Sequence, residues 1–148
     1  MAVRTRILAA LLAGASLVFA LNARASDLYL GGGGGIQHTN DWAAQVAAPV
    51  RGSFEAHYTY WNDERADKHV GALGLGYRWQ LPWAFSFVFG GAYVNRVTDN
   101  LLRHLNAYFE VRWRPLEALS CQVGHYSSVG DDTGENVLLC GLHWRLGR

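Results

Sequence analysis

The sequence predicts an all-β fold, an eight-stranded antiparallel transmembrane β-barrel, and three observations carry that expectation. The chain of 148 residues is 50% apolar and 13% aromatic but only 17% charged, with 17 glycines. Segment after segment alternates large apolar residues with small or polar ones, the period-two signature of a strand. The three prolines, Pro49, Pro82 and Pro115, are 33 residues apart, and the chain ends 33 residues after the last. The length argues for one domain. A mean hydropathy of −0.02 excludes a bundle of membrane helices, and the aromatic content excludes a disordered chain. A net charge of +1 without basic runs argues against a nucleic-acid partner.

Residues 1–25 read as a cleaved signal peptide rather than structure. Arg4 and Arg6 precede an apolar run from Ile7 to Leu21, and Ala23-Arg24-Ala25 supplies a small-x-small cleavage site before Ser26. That run is shorter than the roughly 20 residues a spanning helix needs, which weighs against a membrane anchor. The segment implies a bacterial chain exported across the inner membrane, with residues 26–148 as the mature barrel. Without Arg4, Arg6 and Arg24, ten basic residues face twelve acidic ones, a net charge of −2.

The strands follow in order. Residues 53–61 put Phe54, Ala56, Tyr58 and Tyr60 on one face and Ser53, Glu55, His57 and Thr59 on the other. The next segment sets Leu73, Leu75, Tyr77 and Trp79 against glycines and Arg78. Trp83, Phe85, Phe87, Phe89 and Tyr93 then oppose Ala84, Ser86, Gly90 and Ala92. Residues 104–114 set Leu105, Ala107, Phe109, Val111 and Trp113 against His104, Asn106, Tyr108, Glu110, Arg112 and Arg114. A soluble barrel would have to hold the aromatic face inside, and that face overfills a small lumen. Turned outward, it is the apolar band and aromatic girdle of an outer-membrane barrel, with Glu55, Arg78, Glu110, Arg112 and Arg114 pairing inside.

Proline cannot donate to a ladder and belongs in turns and strand edges. The proline spacing therefore divides the mature chain into four hairpins, 26–49, 50–82, 83–115 and 116–148. The turns at the prolines are tight and the alternate connections longer, as at residues 62–68. Short turns face the periplasm in such barrels and long loops face outside. The run Gly31 to Gly35 is followed by neither Lys-Ser/Thr nor a helix, so it reads as a bent or flexible first strand, not a phosphate loop.

One strand breaks the apolar-outside rule. The face holding Leu119, Cys121 and Val123 continues to His125 and Ser127. Polar groups facing lipid cost free energy unless satisfied, and either an interfacial position or a function accounts for them. If Cys121 and Val123 face Cys140 and Leu138, His125 lies beside Asn136. Glu135 then needs a small register shift or bulge to share their face. With that shift Ser127, His125 and Glu135 make a nucleophile, a base and an orienting carboxylate, able to attack an ester carbonyl near the headgroup boundary.

His125-Tyr126-Ser127 on a lipid-facing strand, with an acidic residue starting the final strand, resembles the outer-membrane lipid A 3-O-deacylases, the PagL family. The resemblance spans the mature architecture, and its diagnostic motif covers about residues 119–136. It implies an eight-stranded barrel in the bacterial outer membrane that hydrolyses an ester-linked (3-O) acyl chain of lipid A. Ser127 would be nucleophile, His125 base and Glu135 orienter. It implies lipopolysaccharide and the membrane as partners, no cofactor, and leaves a homodimer open. The family has asparagine after the serine, in the oxyanion region, where this chain has Ser128.

The competing function is a non-catalytic small barrel with a structural or adhesion role. A pore is disfavoured because eight strands leave an interior that side chains fill. His38, His57, His69, His104 and His143 lack metal-ligand spacing, so no metal site is expected. His57 and His104 read as interior polar residues. Cys121 and Cys140 share a face on adjacent strands, where both a cross-strand disulfide and two free thiols are compatible with the pattern.

Overall fold

The computed structural model describes residues 27–36, 42–63, 68–98, 101–131 and 133–145. The expected signal peptide, His38 and residues 64–67 of the long connection lie outside these. Eight strands follow in chain order: β1 Leu28–Gly35, β2 Trp42–Arg51, β3 Phe54–Asp63, β4 Lys68–Gln80, β5 Phe85–Val94, β6 Leu105–Leu116, β7 Leu119–Ser128 and β8 Gly134–Trp144. Each pairs antiparallel with its neighbour, and β1 pairs with β8 to close the barrel. Closure removes both sheet edges, so every strand has a ladder partner on each side. The proline-bounded hairpins coincide with β1–β2, β3–β4, β5–β6 and β7–β8.

The prolines gather at one rim, each where the ladder gives way. The β2–β3 register shifts between Pro49 and Arg51, and the β6–β7 register between Trp113 and Leu116, around Pro115. Pro82 opens a two-residue turn in which the Phe85 N–H reaches the Pro82 carbonyl at 3.4 Å. Its central residues are Trp83 and Ala84, with φ of 66° and 63°. Positive φ at both positions is what a hairpin turn of this hand requires. Trp83 and Ala84 therefore form the turn instead of starting the strand, correcting the expected boundary. The Trp83 side chain is 88% exposed.

The two faces separate as alternation demands. Phe54, Trp79, Phe85, Phe89, Tyr93, Phe109 and Trp113 are exposed on the outer wall, with Phe87 half-buried among them. Inside, Arg112 sits between two carboxylates, with Nη2 2.6 Å from Glu55 and 2.6 Å from Glu110. Its Nε donates to Gln122 at 2.8 Å, and Arg78 reaches Glu55 at 3.4 Å. Gln45 donates to Thr59 at 2.9 Å, and the Tyr126 hydroxyl donates to Thr59 at 2.6 Å. Tyr108 bonds Glu110 and Gln122 bonds Gln45, which completes the chain of contacts. Buried charges are tolerable only when paired and hydrogen-bonded in this way. Toward the rim opposite the prolines the filling turns apolar, with Trp61, Val70, Val94 and Leu101 fully or almost fully buried.

Candidate active site

The β7–β8 hairpin carries the candidate residues. Along β7, Gln122, Gly124, Tyr126 and Ser128 point inward and are buried. Cys121, Val123, His125 and Ser127 therefore share the outer wall. Their partners on β8 are Cys140, Leu138, Asn136 and Gly134. The first pair is a disulfide with its Cα atoms 4.0 Å apart, which resolves the alternative between bridge and free thiols. That spacing marks the narrow, non-hydrogen-bonded kind of pair, and period two makes the other three outward pairs the same kind. The His125 and Asn136 side chains are consequently brought close, while Ser127 faces a residue without one.

His125 Nδ1 lies 2.8 Å from Asn136 Oδ1. An amide oxygen can only accept, so this contact calls for the proton on Nδ1, and in the neutral ring Nε2 is then left with its lone pair. The ring lies over Gly134, where a Cβ would sit 2.6 Å from Cε1 and 3.1 Å from Nε2. Glycine is required there, since the same Cβ would also meet the Tyr126 carbonyl oxygen at 2.6 Å. The imidazole thus extends from Asn136 across Gly134, the residue paired with Ser127.

Glu135 is not part of this arrangement. It pairs with Tyr126 on the inward face and is 3% exposed. The β7–β8 register runs without a break from Leu119–Leu142 to Ser127–Gly134, so the shift that would turn Glu135 outward is absent. Asn136 stands where the carboxylate was expected. Ser128 is likewise turned inward. Its hydroxyl accepts the Leu102 N–H at 3.0 Å and donates to Asn106 Oδ1 at 3.0 Å. Ser128 thereby ties the β5–β6 loop to the end of β7 and offers no donor to the outer wall. Arg103 Nε meets Asp131 at 3.0 Å, bridging the β5–β6 loop to the β7–β8 connection.

Beside Ser127 the outer wall is grooved. Ala107 of β6 pairs with Ser127. It also lines an apolar groove of about 610 Å³, together with Leu73, Leu75, Gly91, Tyr93 and Leu105. Among the described residues no group of three or more His, Cys, Asp or Glu is placed to hold a metal ion.

Sequence reasoning missed a second constellation at the proline rim. Ser120 Oγ lies 2.8 Å from His143 Nε2, and His143 Nδ1 lies 3.3 Å from Asp27 Oδ1. Arg114 reaches the other Asp27 oxygen at 2.8 Å. Burial works to raise the Asp27 pKa, but hydrogen bonds and charge from His143 and Arg114 hold it well below the usual carboxylate range. Ser120 is fully buried, so no carbonyl reaches it, and the set acts as a polar lock joining the residue that leads into β1 to β6, β7 and β8. Inward parity on adjacent strands was the available signal for Ser120 and His143.

No protein-family model matches the chain, and no curated protein matches it by sequence. Among solved structures, the crystal structure of the outer membrane enzyme PagL superposes with a TM-score of 0.59 at 14% identity, covering 81% of this chain and 99% of that one. The solution NMR structure of the de novo designed TMB2.3 gives 0.50 at 16% identity, covering 82% and 94%. At these identities the likeness is one of architecture: the chain has the closed eight-stranded antiparallel barrel also seen in the enzyme PagL.

Proposed function

We propose that the chain is a bacterial outer-membrane enzyme that hydrolyses an ester-linked (3-O) acyl chain of lipid A. The observation that carries the proposal is the imidazole of His125, held by Asn136 at 2.8 Å on the outer face of β7 that also carries Ser127. The exposed aromatic wall supports placement in a bilayer. The signal-peptide pattern of residues 1–25 supports export, and the likeness to PagL supports the architecture.

In the proposed reaction Ser127 Oγ attacks the ester carbonyl carbon while its proton passes to His125 Nε2. The tetrahedral intermediate expels the sugar oxygen, which takes that proton from His125 and leaves as an alcohol. Water then attacks the acyl-Ser127 ester and gives a proton to His125. Collapse returns the proton to Ser127 and releases a fatty acid. The groove beginning at Ala107 is apolar enough to seat the alkyl chain. No cofactor enters this balance.

Lipid A mass spectrometry on cells with and without the protein tests the reading. Loss of one 3-hydroxyacyl chain that requires Ser127 supports it. Unchanged lipid A, with purified lipopolysaccharide equally untouched, replaces it with a non-catalytic barrel.

A further inference from the structure

We infer that Asn136 is the positioning residue of the candidate site, so that the chain works with Ser127, His125 and a neutral amide where a carboxylate was expected. The inference rests on the ester-hydrolase reading. Three observations lead to it. The His125–Asn136 contact is a hydrogen bond of 2.8 Å between the nitrogen that must be protonated and an oxygen that can only accept. The strand that carries Asn136 is pinned from both sides. On β7 the register is tied by the Cys121–Cys140 bridge, and just past the end of β1 the Ile36 N–H donates to the Asn136 carbonyl at 3.1 Å. A one-residue slip would be needed to exchange Asn136 for Glu135, and it would invert every side chain of β8. Finally, the space the ring occupies exists only because residue 134 is glycine.

The amide has a definite chemical consequence. The Nδ1 proton stays on the ring throughout, and the only proton that moves through His125 is the one exchanged at Nε2. Asn136 selects the tautomer and the ring angle, as an asparagine does beside the histidine of papain-like enzymes. It contributes no negative charge to stabilise the imidazolium. An amide suits the outer wall, where a carboxylate facing hydrocarbon is costly. The site is therefore oriented correctly but electrostatically underpowered, and added charge at this position should accelerate it.

The test compares Asn136→Ala, Asn136→Leu, Asn136→Asp, Glu135→Gln and Ser127→Ala in the full barrel refolded in detergent. Heat-modifiable gel mobility checks the fold. Fatty-acid release from purified lipopolysaccharide gives kcat and KM, and a fluorophosphonate probe reports the reactivity of Ser127 directly. We expect Asn136→Ala and Asn136→Leu to lose at least about tenfold in kcat with KM within about twofold. Asn136→Asp should match or exceed the wild type, by up to about tenfold, because a charge-assisted hydrogen bond is the stronger one. Glu135→Gln should change neither constant. The inference is overturned if Asn136→Leu keeps full kcat, if Asn136→Asp fails to restore what Asn136→Ala loses, or if folded Glu135→Gln is as inactive as Ser127→Ala. A wild-type barrel that neither cleaves nor labels removes the hydrolase reading and this inference together. Cleavage that needs Ser127 but not Asn136 removes this inference alone.

Discussion

Ser120 Oγ and His143 Nε2 lie 2.8 Å apart inside the barrel, at the rim opposite Ser127. With Asp27 behind the ring, the contact has the parts of a hydrolase triad without its function, because Ser120 is fully buried. Residue types at hydrogen-bond distance are thus a weaker criterion than residue types on an accessible face. A fluorophosphonate probe should label Ser127 and leave Ser120 unmodified, and Ser120→Ala should cost about 1 kcal/mol of stability without reducing ester cleavage. Peptide mass mapping of the labelled protein decides it; modification of Ser120 would reverse the assignment.

The Asp27 carboxylate gives this lock a pH dependence with a definite sign. Its folded pKa is depressed below the ordinary 3.8 by His143 and Arg114, despite the opposing effect of burial. The stability it contributes is therefore complete above 3.8 and is lost progressively as pH falls from there through the folded value. Asp27→Asn should destabilise the barrel by about 1 kcal/mol at neutral pH, since the group is partly exposed. The gap from wild type should narrow as pH drops below about 3. Urea unfolding in detergent across that range measures it, and a gap that widens in acid would contradict the pairing.

Arg112 holds Glu55 and Glu110 together in the lumen. Removing it leaves Glu110 buried without its cation and Glu55 with only the longer contact to Arg78, whereas removing Glu110 leaves Arg112 still paired with Glu55. Arg112→Ala should accordingly destabilise by about 3–5 kcal/mol, and Glu110→Gln by clearly less. The difference in denaturation midpoint between the two variants is the readout.

The turn at Trp83 and Ala84 places two residues with side chains in the left-handed region, at a cost of about 1–2 kcal/mol each. Ala84→Gly should stabilise the barrel by about 0.5 kcal/mol, the relief exceeding the backbone entropy that glycine adds. A loss of stability would mean that the turn is held by contacts stronger than its strain.

The faces of this barrel are legible in its sequence because a strand has only two of them. Phe85, Phe89, Phe109 and Trp113 declare the outer wall, and Glu55, Glu110 and Arg112 the lumen. The proline spacing marks the hairpins because proline cannot donate to a ladder, so Pro49 and Pro115 fall in the last residues of β2 and β6, where the register shifts. The Cys121–Cys140 pairing even places His125 beside Asn136. Alternation does not reveal whether a bulge is inserted, and that left Glu135 as the expected partner until an unbroken register turned it inward. It also says nothing of contacts made by closure. His143 and Asp27 meet only because β8 returns to β1, a register between the two ends of the chain that no local spacing encodes. The start of β5 was misread for a different reason: Trp83 is as apolar as the strand after it, and its positive φ has no signature in residue type.

The Cys121–Cys140 bridge bears on how such a protein is assembled. Both sulfurs sit on the wall that would face lipid, and once that wall is covered by hydrocarbon, water-soluble oxidants and disulfide isomerases no longer reach them. If the barrel resides in a bilayer, the bond has to form earlier, while the exported chain is still in the aqueous compartment it crosses. The last hairpin would then arrive at the membrane already clasped in the alignment that sets Asn136 against His125. The alignment of the candidate site would be decided before insertion, at a time when a reducing environment could still undo it.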